Sequence, residues 1–92
     1  MSVKDAREAE AEAGQIVKVK AKSRFGITPS STDVDSINLD ETAGIANYMI
    51  RGSARLIVQP SGFLRSEEAE EHSFQMRLDA TDLKLLGFEW TS

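Results

Sequence analysis

The chain has 92 residues, 40% of them hydrophobic and 28% charged, with 11 Lys and Arg against 15 Asp and Glu for a formal net charge of -4. That length supports one domain with one modest core, and the composition is that of a globular chain rather than a disordered, collagenous or membrane one. Having no cysteine excludes a disulfide framework, a thiolate metal site and a thiol nucleophile, and the acidic balance argues against the whole molecule being a nucleic-acid binder.

The N-terminus, Met1-Ser2-Val3-Lys4-Asp5-Ala6-Arg7-Glu8, lacks the apolar or arginine-rich run of a targeting peptide, so the expected location is cytoplasmic. The longest apolar stretches, such as Leu56-Ile57-Val58, fall far below the ~18–20 residues that span a bilayer, and no membrane association is expected. Residues 5–13 alternate Glu with Ala and carry no larger apolar side chain. They read as an acidic tail or frayed helix stopped by Gly14, with the domain proper drawn as 15–92.

Residues 15–25 alternate strictly, with Val17, Val19, Ala21 and Phe25 on one side and Lys18, Lys20, Lys22 and Arg24 on the other. This is the period-two pattern of a half-buried strand. From 26 to 37 the run Thr28-Pro29-Ser30-Ser31-Thr32-Asp33 has loop chemistry.

Two readings compete for 38–52. As a helix, Asn38 caps it, Glu41 completes a capping-box spacing, Leu39, Ala43, Ala46 and Ile50 share a face, and Gly52 ends it. As a hairpin turning at Gly52-Ser53, Ile50 would pair with Arg55 and Asn47 with Val58, mixing polar and aliphatic side chains on both faces. The helix is preferred, against the cost of Gly44 inside it.

Residues 54–59 read as a short strand ended by Pro60-Ser61-Gly62. Ser66-Glu67-Glu68-Ala69-Glu70-Glu71 reads as a capped helical turn with acids at its positive end. Phe74, Met76 and Leu78 alternate with Gln75 and Arg77, a second half-buried strand over 73–79. Thr81 caps a last turn through Leu86, stopped by Gly87, before Phe88 and Trp90. The expected fold is α+β: a small antiparallel sheet of three or more strands with one main helix, 39–51, packed on one face, the alternative being an all-β sheet or partial barrel.

Four features could carry function. Lys18, Lys20, Lys22 and Arg24 on a strand would stand ~6.6–6.8 Å apart in a row able to track a polyanion. The plainer reading is a solvated or guarded sheet face, because no aromatics interleave to stack bases. Glu67, Glu68, Glu70 and Glu71 form an acidic surface that, with Glu8, Glu10 and Glu12, could mimic nucleic acid in a partner's basic groove, although acidic runs are ordinary. Glu68 and His72 would lie one helical turn apart, which is two ligands and not a metal site.

Tyr48, Met49, Phe88 and Trp90 are the protein-interface candidates, balanced against the need of so small a domain to bury them. No nucleophile motif or phosphate loop is present, so neither an enzyme nor a cofactor is expected. The leading function is a protein-binding module: an adaptor, inhibitor or assembly subunit. Contact with nucleic acid or another polyanion is the alternative, and self-association stays open.

Overall fold

Asp5 and Gly26 bound the first element. The Asp5 side chain accepts a hydrogen bond from the Glu8 N–H at 2.8 Å, and Gly26, at φ 74°, returns its N–H to the Lys22 carbonyl at 3.0 Å. Those are an N-cap and a left-handed C-terminal cap, and between them Ala6–Phe25 is one continuous helix, α1. In this computed structural model, which describes residues 3–58 and 68–91, four strands follow: β1 (Ser31–Thr42), β2 (Ile45–Val58), β3 (Glu68–Asp79) and β4 (Leu85–Trp90). They form one antiparallel sheet in the order β1-β2-β3-β4.

The α+β class stands, with one helix on one face of an antiparallel sheet, but the helix and a strand exchange places along the chain. Residues 15–25 are helical and not a strand, and the boundary drawn at Gly14 falls inside α1. Val19 decides between the two periods. A strand would bury Val17, Val19 and Ala21 together, whereas α1 buries Ala9, Ala13, Val17 and Ala21, four residues apart, and leaves Val19 68% exposed. The segregation of Glu8, Glu10 and Glu12 from Lys18, Lys20, Lys22 and Arg24 places each sign at the end of the helix dipole that favours it.

Gly14 sits in mid-helix, where a Cβ would meet only Thr32 Oγ1 at an ordinary 3.8 Å. Gly14→Ala is therefore expected to raise stability by about 0.5–1 kcal/mol, read as a higher denaturant midpoint at unchanged slope.

The preferred helix at 39–51 is instead the β1–β2 hairpin, and only the first part of 26–37 is loop. The chain turns at Ala43-Gly44, with φ of 53° and 79°, not at Gly52-Ser53. Two successive positive φ values make the two-residue turn whose twist matches its strands. In this register Ile37 lies opposite Ile50 and Leu39 opposite Tyr48, so the larger apolar residues of the inner face pair with one another, while Asn38 opposite Met49 and Glu41 opposite Ala46 remain mixed pairs. Asp35 is an extra residue between the pairs Val34–Gly52 and Ser36–Arg51. This bulge shifts the inward phase of β1 from Thr32 and Val34 to Ile37 and Leu39.

The segment 73–79 is a strand as expected, within the longer β3, but the helical turn placed at 66–71 is contradicted from Glu68 onward, which is strand. The turn at 60–62 and the cap at Ser66 lie outside the described residues. The expected last helical turn is instead a hydrogen-bonded turn over 80–82 followed by β4.

The core lies between α1 and the inner sheet face, built on Val17, Tyr48, Ile50, Phe74, Met76 and Leu78, with Phe88 and Trp90 packed against it from β4. A 20-residue helix runs about 30 Å and a 14-residue strand about 47 Å, so the β2–β3 pair outreaches the helix. The molecule is accordingly elongated, 55 × 20 × 19 Å, with a radius of gyration of 15.1 Å where a compact chain of this length has about 12 Å.

Candidate functional site

The four cations at 18–24 do not form one row. Helical spacing puts Lys18 and Lys22 on the flank toward β1 and the 26–30 loop, and Lys20 with Arg24 on the other. Lys20 is half-buried, its Nζ 5.8 Å from the Phe88 ring centroid. Lys22 donates to the Gly26 carbonyl at 3.3 Å, so part of this charge closes the helix C-terminus.

The interface candidates also divide. Tyr48 is buried and its hydroxyl donates to the Lys4 carbonyl, tying down the segment before α1. Phe88 and Trp90 belong to a ring cluster with Phe25, His72 and Phe74, in which Trp90 lies 5.1 Å from both Phe25 and Phe88. Met49 faces the opposite side of the sheet, beside an open hollow of about 350 Å³ lined by Gln75, Arg77, Leu86, Gly87 and Glu89.

Of the acidic candidates, Glu67 lies outside the described residues, while Glu70 and Glu71 are exposed on β3. Glu70 Oε2 is 3.3 Å from His72 Nε2, and Glu71 stands opposite Arg55. Because 68–72 is strand, Glu68 and His72 are about 13 Å apart along the chain rather than one turn, and the His72 ring stacks on Phe25 at 4.3 Å. Among the described residues no group of three His, Cys, Asp or Glu side chains converges as metal ligands. No helix among them is long and apolar enough to cross a membrane.

At the β3–β4 turn, Asp79 Oδ1 accepts from the Thr81 hydroxyl at 2.6 Å and from the Thr81 N–H at 2.8 Å. The hydroxyl bond, then the N–H bond, hold the Asp79 carboxyl below its ordinary 3.8. A carboxyl with a lowered folded-state pKa stabilises the fold above its unfolded pKa, and that contribution is lost as pH falls through the folded value. Wild type is therefore expected to exceed Asp79→Asn in stability at neutral pH, with the difference shrinking below pH 3.8 in denaturant titrations.

The surface that sequence reading missed is the free edge of β1. This strand ends the sheet, and its sequence, STDVDSINLDET, carries Asp33, Asp35, Asp40 and Glu41 with no Lys or Arg. None of the four carboxylates forms an ion pair among the described residues.

The two-residue turn sets which backbone groups face outward. Thr42 and Ile45 flank the turn as a hydrogen-bonded pair, so alternate residues Glu41, Leu39 and Ile37 aim their N–H and C=O groups away from β2. Consistently, the Ala46 carbonyl, opposite Glu41, points the other way and accepts from Ala80 N–H at 3.0 Å. Leu39, on the inner face and beyond the cover of α1, is 58% exposed. Next to the first half of β1 runs an open groove of about 460 Å³, lined by Arg7, Glu10, Gly14, Lys18, Thr32 and Val34. A usable signal existed: Thr32 and Val34 alternate with Asp33 and Asp35, then Ile37 and Leu39 alternate with Asn38 and Asp40, one residue out of phase.

No protein-family model matches the chain, and neither a curated protein nor a solved structure matches it.

Proposed function

We propose that this chain is a non-enzymatic protein-binding module that takes up an extended segment of its partner as a fifth strand along β1. One observation carries the reading: Ile37, Leu39 and Glu41 direct backbone donors and acceptors outward from a terminal strand, with no partner among the described residues. Such an edge is a template for strand addition, in which main-chain bonds supply affinity and alternate side chains supply selectivity. The exposed Leu39 adds an apolar contact on the inner side.

The test compares the full wild-type chain with Leu39→Pro and Leu39→Thr as baits. Proline at 39 removes an outward N–H without breaking a bond to β2, whereas threonine changes only the side chain. A protein retained by wild type and Leu39→Thr but lost with Leu39→Pro, whose binding slows amide exchange at Ile37, Leu39 and Glu41 of the wild-type chain, supports strand addition. A partner held equally by all three baits, with exchange at those amides unchanged, overturns it. Steeply salt-dependent binding of nucleic acid, indifferent to Leu39→Pro, would replace it with polyanion contact.

A further inference from the structure

Resting on that reading, we infer that the segment received by β1 is a basic amphipathic strand, in which Lys or Arg alternates with aliphatic residues. The argument begins with side-chain direction. A strand laid beside β1 continues the pleat, so every second residue lies beside Ile37 and Leu39 on the inner face and the residues between lie beside Asn38 and Asp40 on the outer face. The inner neighbours Ile37 and Leu39 are aliphatic, with Glu41 next on that face at the turn end, and Leu39 is 58% exposed. On the outer side Asp40 is exposed, as are Asp33 and, at the bulge, Asp35.

Charge then selects among occupants. The arginines of the outer face, Arg51, Arg55 and Arg77, stand on β2 and β3, so the first charges an added strand meets on that face are carboxylates, while the cations Arg7 and Lys18 stand on the inner side beside Thr32 and Val34. Those carboxylates are without ion-pair partners among the described residues. A second copy of this chain paired edge to edge would set two cation-free acidic strands against each other, and like charges across a ladder are destabilising. An acidic segment meets the same penalty, and a neutral one leaves the carboxylates uncompensated. Lys or Arg on the outer side with Val, Ile or Leu on the inner side satisfies both faces.

The experiment titrates the full isotope-labelled chain with three synthetic peptides of equal length: alternating Lys and Val, alternating Glu and Val, and a scrambled Lys and Val sequence. The Lys–Val repeat is expected to shift the amides of Ile37, Leu39 and Glu41, and to bind about two- to fivefold more weakly to Asp40→Asn and to Asp33→Asn. Both variants change exposed side chains and keep the fold testable. If the Glu–Val repeat binds as tightly at the same amides, the partner's charge is wrong while strand addition stands. If the scrambled peptide binds as well as the repeat, or if no peptide moves the edge amides, both the partner class and strand addition fall.

Discussion

Gly52→Ala is expected to lower the unfolding free energy by about 3 kcal/mol or more, because Gly52 is the one described glycine at which an added Cβ would meet neighbouring atoms closer than 3 Å. Gly52 faces Val34 across β1 and Phe74 across β3 at the point where the Asp35 bulge presses the neighbouring strand inward. A Cβ there would collide with the Asp33 backbone carbonyl and come within 2.9 Å of the Phe74 ring. The ring could swing aside, but a carbonyl fixed by a bulge moves only if the strand moves. Chemical denaturation checks the prediction, and a midpoint within a few tenths molar of wild type would contradict it. The substitution is also expected to weaken whatever the β1 edge does, because the bulge positions that edge.

Phe74→Ala is expected to cost about 3–5 kcal/mol, the usual range for emptying a buried phenylalanine site. The side chain is almost wholly buried and covers the bare backbone of Gly52. Its ring centroid lies 6.0 Å from Phe88 and 6.2 Å, edge-on, from Trp90. The single tryptophan supplies a local readout, since loss of the neighbouring ring should shift Trp90 emission to the red in the folded state. A variant that keeps both its midpoint and its emission maximum would show that the ring cluster repacks without Phe74. The two sites touch, so Gly52→Ala combined with Phe74→Ala should destabilise by less than the sum.

The class of fold was legible because 73–79 alternates Phe74, Met76 and Leu78 with polar residues and because the chain holds enough aliphatics for one core. The placement of the helix was not, and the reason is local. Val17-Lys18-Val19-Lys20-Ala21-Lys22 has a clean period of two, yet the inward residues Ala9, Ala13, Val17 and Ala21 have a period near four that only small side chains reveal. The capping residues Asp5 and Gly26 were the better guide, since they mark both ends of α1.

In the β1–β2 hairpin the misleading signals were Asn38, Glu41 and Gly52, which imitate a capped helix. The turn itself begins with Ala43, a residue that disfavours positive φ, so it leaves no strong mark in sequence. The need for glycine at 52 comes from Asp33, nineteen positions earlier, and appears only once the strands are paired. The candidate site has the same character. Acidity at 33–41 can be counted in sequence, but that it lines an open border depends on the order of strands in the sheet.

The seam beneath α1 is made largely of methyl groups. Ala9, Ala13 and Ala21 let the helix axis approach the sheet closely while removing little hydrocarbon from water, and Val17 is the one larger side chain fully sealed there. Cohesion is therefore concentrated in the paired strands, and the helix acts as a closely fitted cover. Loosening that cover would bare the inner side of β1 from Thr32 to Ile37 without disturbing the ladder that holds the sheet together.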